Sequence, residues 1–481
     1  MHDDPLSPWA SAVTISAALR LGQVSAAEVA RTALGRLQTV NARINAYTDV
    51  TAARAMREAD AIDAARAAGQ PLGPLAGVPF AVKNLFDVTG LPTRAGSRIN
   101  RDRAPARADA TLVTRMNRAG AVLMGTLNMG EYAYDFTGEN ANDGACRNPH
   151  DPARMSGGSS SGSGAATAGG VAPISLGSDT NGSLRVPASL CGVFSLKPTY
   201  GRLSRGGTFP FVDSLDHLGP MARSAQDLAL AYDVLQGPDR ADHACAVRPV
   251  APVGALPAQV HGLRIGVLGG WFHDNAGDEA RAAVATVAAA CATQAYVLTV
   301  NFDAAEAARA AAYLITNSES AAFHLDRLRQ RAADFDPDTR DRFLAGALLP
   351  AAWISRAQRV RHWSLGQALD LFRSVDLLLA PATPCPAPLV GSKTLRIAGR
   401  DLPLRPNLGL LAQPFSAIGL PVTTVPVAAE QITAGSGSPS ALPIGVQIIA
   451  APWREDLTLR AARFLETAGI ALAGRPDCSG A

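Results

Sequence analysis

The chain has 481 residues, 47% of them hydrophobic and 18% charged, which excludes a disordered polymer and leaves enough apolar matter for a large core. A net charge of +3 with no basic tract excludes the electrostatic footprint of direct nucleic-acid binding. The closest of the six cysteines, Cys146 and Cys191, stand 45 positions apart, so no metal ligand set and no disulfide framework is expected, and reduced thiols point to the cytoplasm.

The opening MHDDPLSPWAS is acidic and lacks an apolar stretch, so no signal peptide is expected. No run approaches the ~18 apolar residues of a membrane span, so no membrane partner is expected. Ser25 followed by Glu28 forms a capping-box pattern ahead of a periodic stretch over 25–45. An Ala-rich amphipathic helix is predicted over 50–68, stopping at Gly69. Residues 78–82 read as a strand just before Lys83, 110–119 as a helix and 121–124 as a strand. This alternation predicts a sheet covered by helices. Further on, strands are predicted at 263–268, 375–379, 422–427 and 444–450, and helices at 278–293, 303–333 and 456–468. Pro/Gly-rich surface loops are expected at 246–257 and 431–443. The chain shows no internal repeat and reads as one domain over 1–481. It has a helical portion at 1–70, a core at 75–225 and an insertion-like helical portion at 270–370.

Three strings carry chemistry. Between Gly157 and Gly207 the composition shifts to Gly, Ser and Thr, beginning with Gly157-Gly158-Ser159-Ser160-Ser161-Gly162-Ser163-Gly164. Such a run opening a helix presents free backbone N–H groups, as a phosphate loop or a catalytic serine loop requires. A Walker loop needs a Lys that is missing here. The second string runs Gly177-Ser178-Asp179-Thr180-Asn181-Gly182-Ser183-Leu184-Arg185. Its small residues allow a tight turn, either an ordinary one or one that aims several N–H groups at a single point as an oxyanion hole. The third places Lys83 at the end of an apolar strand. There it either reaches out to solvent or is desolvated into a neutral base.

Taken together, GVPFAVKN, GGSSSGS and GSDTNGSLRVPAS resemble the amidase signature family, and the resemblance covers nearly the whole chain. It extends through Leu196-Lys197-Pro198-Thr199-Tyr200-Gly201-Arg202 and Ser214-Leu215-Asp216-His217-Leu218-Gly219-Pro220 to Pro443-Ile444-Gly445-Val446-Gln447. It implies an α/β fold with a large mixed β-sheet sandwiched between helices. It also implies a Ser-cisSer-Lys triad with Ser183 as nucleophile, Ser159 as bridging serine and Lys83 as base, without cofactor or metal. Carried over residue by residue, the backbone N–H groups of Thr180, Asn181, Gly182 and Ser183 would form the oxyanion hole. Ser160, Asp179 and Arg185 would hold the loops, with contact to a substrate anion as the other role for Arg185. His217 reads as structural. Two positions depart from the family pattern: Ser161 stands where a glycine is usual, and Asn181 replaces the first of two glycines before the nucleophile.

Within the family, Asp179 to Ser183, Tyr132 to Asp135, Tyr200 to Arg205 and the segment around Asp216 look most like the 1-carboxybiuret hydrolase group of cyanuric acid degradation. That resemblance implies ammonia release from a small carboxylated urea or amide. It also implies a homodimer or heterotetramer and a short helical partner subunit. Tyr134, Tyr313 and Arg342 are the candidate substrate-binding residues. The alternatives are the glutamine-hydrolysing amidase subunit of a tRNA-dependent amidotransferase, another small-amide or ureido-acid amidase, and a non-catalytic scaffold.

Overall fold

The computed structural model describes residues 4–432 and 442–476, so most of the loop expected at 431–443, and Cys478, lie outside the described residues. Strong local signals set the first helices. Ser25 caps Ala26–Ile44 with a complete capping box, Glu28 answering the Ser25 N–H, and Ala52–Ala67 stops before Gly69, whose φ is +66°.

The strands are β1 (Tyr47–Val50), β2 (Pro79–Lys83), β3 (Val122–Leu127), β4 (Ile174–Asp179), β5 (Phe194–Lys197), β6 (His217–Ala222), β7 (Arg264–Leu268), β8 (Tyr296–Val300), β9 (Leu377–Pro381), β10 (Thr394–Ile397), β11 (Arg400–Pro403), β12 (Val422–Val427) and β13 (Ile444–Ala450). All but the hairpin β10–β11 form one mixed sheet of 11 strands, in the order β1-β3-β2-β4-β6-β5-β12-β13-β9-β7-β8. β2 runs parallel to both β3 and β4, while β4, β6, β5, β12, β13 and β9 alternate in direction. Helices flank the sheet: Ser161–Ala168 packs on β4, Arg185–Cys191 on β12 and β13, and Ala225–Leu235 on β6. This is the α/β architecture that the helix–strand alternation predicts. The segment over 270–370 contains the edge strand β8 besides its helices. Three of those helices, Ala305–Arg331, Pro337–Ala347 and Ala351–Leu371, pack chiefly on one another. Among the described residues no helix is long and apolar enough to cross a membrane.

The Gly/Ser-rich composition has a packing cause. Every residue from Met155 to Thr199 is buried, and backbones meet there with no room for side chains. A Cβ on Gly162 would lie 2.3 Å from the Ala46 carbonyl oxygen, and one on Gly177 would lie 2.8 Å from Ser160 Oγ. Because β2 and β4 are parallel neighbours, their carboxyl ends, Lys83 and Asp179, emerge side by side. That end of a parallel pair is where α/β sheets place ligands.

Candidate active site

Lys83 is the last residue of β2 and is fully buried. Its Nζ donates to Ser159 Oγ at 2.6 Å and to Ser178 Oγ at 2.9 Å. Burial pushes its pKa down to about 7, against the opposing pull of the Asp216, Asp179 and Asp135 carboxylates. Near neutral pH a large share of this amine is therefore unprotonated and able to accept a proton.

Ser159 follows a cis Gly158–Ser159 peptide bond. The next residue ties the two serine loops together. The Ser160 N–H donates to the Ser183 carbonyl at 3.3 Å, while Ser160 Oγ donates to the Ser178 carbonyl at 3.0 Å and accepts from the Ser178 N–H at 3.2 Å. The side chains of Lys83, Ser159 and Ser178 thus meet, the Ser183 backbone is tied to the same loop through Ser160, and Ser183 lines a pocket. Ser161, at the position usually held by glycine, opens the helix Ser161–Ala168, and its Oγ donates to the Asn128 carbonyl.

Asp179 shapes the turn before Ser183. Its carboxylate accepts from the N–H groups of Gly182 (2.8 Å) and Leu184 (3.2 Å), from Ser416 Oγ (2.8 Å), and from Arg185 Nε (2.9 Å) and Nη2 (3.0 Å). Burial alone would raise its pKa, but the Arg185 guanidinium holds it well below the usual carboxylate range. The Gly182 bond corrects one expectation. That N–H is spent on Asp179, because the carboxylate folds back over the turn, so Gly182 is not a free oxyanion donor. The N–H groups of Thr180, Asn181 and Ser183 donate to no described residue. Gly182 still has a steric role: at φ +131°, a Cβ there would lie 2.7 Å from Ala412 Cβ.

Arg185 is fully buried, and its remaining donors go to the Ala412 carbonyl and Gln447 Oε1, both at 2.7 Å, and to Ser416 Oγ. With every donor committed, it has none left for a substrate anion. His217 is buried, and its Nδ1 lies 2.6 Å from the Leu215 carbonyl and 3.1 Å from that of Asp179.

The pocket beside Ser183 is also lined by Thr180, Asn181, Tyr134, Tyr313, Arg342 and Gln413, so the three candidate substrate-binding residues stand where Ser183 opens. Arg342 donates to the Tyr134 carbonyl at 2.9 Å, and its guanidinium carbon sits 3.6 Å from the centre of the Tyr134 ring. Tyr134 Oη is buried without a described partner. Tyr313 is 42% exposed.

Sequence reasoning missed four contributors. Ser178 gives Lys83 its second hydroxyl. Asp216 accepts from Thr180 Oγ1 at 2.6 Å and from the Phe211 and Val212 N–H groups, bracing the turn before Ser183. Gln447 and Ser416 hold Arg185. Ser178, Asp216 and Gln447 lie inside the quoted strings, which was a signal; Ser416 had none. Among the described residues no three His, Cys, Asp or Glu side chains gather as a metal site would need.

Comparison with known proteins agrees with this geometry. A family profile described as Amidase matches residues 28–459. The chain is 53% identical over 460 residues, 95% of its length and 98% of the relative's, to AtzE of Pseudomonas sp. (strain ADP), a component of 1-carboxybiuret hydrolase. It is 36% identical over 468 residues, 92% of each chain, to a glutamyl-tRNA(Gln) amidotransferase subunit of Roseiflexus castenholzii (strain DSM 13941 / HLO8). One solved structure superposes with a TM-score of 0.92 at 53% identity over 96% of this chain and 100% of its own. It is described as a vestigial protein complex that reveals the evolutionary origins of an s-triazine catabolic enzyme.

Proposed function

The chain belongs to the amidase signature family of C–N amide hydrolases, and from that premise we propose that it hydrolyses 1-carboxybiuret, or a closely similar carboxylated urea, with release of ammonia. The observation that carries the chemistry is the buried Lys83 amine held between Ser159 and Ser178 at the Ser183 loop.

The steps follow from those positions. Neutral Lys83 accepts the Ser159 proton as Ser159 takes that of Ser183. The Ser183 alkoxide adds to the carbonyl carbon, and the oxyanion is met by the N–H groups of Thr180, Asn181 and Ser183. Each such donor is typically worth about 2.7–4 kcal/mol in the transition state. The proton returns through Ser159 to the leaving nitrogen, the C–N bond breaks and ammonia departs. Water, deprotonated by the same relay, then cleaves the acyl-enzyme.

Arg342, with Tyr134 and Tyr313, supplies the cation and hydroxyl donors that a substrate carboxylate needs. The relative at 53% identity favours the ureido substrate over the glutamine-hydrolysing reading, whose representative stands at 36%. The described cysteines are all free, which supports a cytoplasmic site of action. The related structure is itself a protein complex. Together with the exposed Leu348, Trp353 and Trp363, it supports assembly with a short helical partner subunit.

The test is ammonia release from 1-carboxybiuret, biuret, allophanate, malonamate and glutamine, with Ser183→Ala as control. Turnover of 1-carboxybiuret, reduced at least about 10⁴-fold in the control, is expected. Turnover of glutamine alone would move the chain to the amidotransferase reading.

A further inference from the structure

Asn181 has a second group besides its backbone N–H. Its side chain lines the pocket beside Ser183 and is only 7% exposed. The amide nitrogen Nδ2 donates to Thr316 Oγ1 at 2.8 Å. Thr316 is buried on the long helix Ala305–Arg331, and Asn181 turns its Nδ2 to it. Its oxygen, Oδ1, is buried and has no described partner. A buried acceptor left unmet is costly, and a folded protein that carries one at a pocket wall is prepared for a donor from outside.

Of the other polar groups lining the pocket, the Asp135 carboxylate is already taken by Arg405, Thr137 Oγ1 and the Gly138 N–H. Arg342 and the unpartnered Tyr134 Oη offer donors, which suit a carboxylate. Gln413 turns its Oε1 to Arg309 at 2.9 Å. Asn181 Oδ1 is therefore an open acceptor in a wall whose Asp135 carboxylate is already paired. It stands two positions before Ser183 and lines the same pocket, so the donor assigned to it is one on the substrate near the scissile carbonyl. The leaving NH₂ is common to both classes, but on the other flank of the carbonyl a urea derivative has a nitrogen bearing hydrogen. In a carbon-acid amide the same place holds a methylene, which cannot donate and would leave Oδ1 desolvated and unpaired.

We infer that Asn181 Oδ1 reads an N–H flanking the scissile carbonyl, so that this pocket takes ureido-type amides in preference to their methylene isosteres. The inference rests on the reading of this pocket as the amide-hydrolysing site. It assigns to the Asn181 side chain a specificity role separate from its backbone N–H.

Two pairs of substrates differ only by N–H against CH₂: allophanate with malonamate, and biuret with malonamide. The kcat/KM ratio within each pair is measured for the full chain and for Asn181→Ala. The ratio of affinities within each pair is measured by calorimetry on Ser183→Ala and on the double variant, which registers binding where turnover is slow. The wild-type chain is expected to favour the N–H member of both pairs. Asn181→Ala is expected to lower that preference at least tenfold, with the larger loss on the N–H member. Thr316→Val, which frees the amide to turn, is expected to erode the same ratio without touching the oxyanion turn.

Equal losses on both members would assign the effect to the oxyanion turn and overturn the inference. So would a wild-type preference for methylene, or the absence of any binding by the N–H members. Failure of the substrate assignment looks different: 1-carboxybiuret is then not turned over, yet the N–H preference and its dependence on Asn181 persist on these pairs.

Discussion

Among single residues, Lys83 is the one on which the proposed chemistry turns. Its ordinary pKa is near 10.5, and burial brings it to about 7. The fold therefore binds fewer protons at this site than the unfolded chain does between those two values, so the site's cost to stability is full below about pH 7 and fades as pH rises towards 10.5. Activity has the same sign, because only the neutral amine accepts the relayed proton. We expect kcat/KM for ammonia release to climb through pH ~7 and then level off. Asp216→Asn removes the strongest charge favouring protonated Lys83, so the limb should move to lower pH. A limb that is absent, or that moves upward in this variant, would contradict the assignment of Lys83 as base. The sequence singled out Lys83, Ser159 and Ser183 because they sit in strings whose spacing is distinctive. Ser178 and Asp216 were in view but unassigned, since which hydroxyl meets the amine depends on how β2 and β4 register side by side, and a linear string carries no such information.

Among elements, the stretch from Met155 to Thr199 and the helix Pro337–Ala347 behave differently. In the first, composition and function coincide: small residues let two loops and two helices close around the lysine, and that was readable as a Gly/Ser-rich anomaly. In the second, function depends on an anchor remote in sequence. Glu131 Oε2 accepts from the Asp336 N–H and from Thr339 Oγ1, each at 2.7 Å, and so holds the start of the helix that carries Arg342 to the pocket. Burial raises the Glu131 pKa to about 7. Glu131→Ala would strand the buried Asp336 N–H at about 1–3 kcal/mol and leave Thr339 Oγ1 only the Asp336 carbonyl. The expected result is a lower Tm and a raised KM for carboxylated substrates, with kcat changed much less. An unchanged KM would show that Arg342 does not depend on this anchor. Strand limits were legible to within a few residues where β-branched runs are bounded by turns, as at β12 and β13. β5 and β6 were not, because their Ser, Lys, His and Pro do not read as strand in isolation and are held there by their neighbours in the sheet.

For the molecule as a whole, Arg185 joins parts that are distant along the chain. It binds Asp179 at the end of β4, Gln447 in β13, and Ser416 and Ala412 around the helix Gln413–Ala417. The pair is completely buried. Such a pair adds little when intact, but breaking it leaves an uncompensated charge, at a cost of about 3–5 kcal/mol. Arg185→Met is therefore expected to lower the midpoint of urea unfolding far more than Arg342→Met, which lies at the pocket mouth. Similar midpoints would remove Arg185 from its joining role. The overall α/β character was legible from alternating elements. The strand order was not, since β12 and β13 return from the far end of the chain to the middle of the sheet.

Activation of Ser183 through Ser159 by Lys83 is tested most sharply by the mass of the protein after exposure to a fluorophosphonate. One adduct per chain is expected, located by peptide mapping on Ser183, abolished by Ser183→Ala and formed at least about 100-fold more slowly in Lys83→Ala. An unlabelled wild-type chain, or a label that survives Ser183→Ala, would contradict it.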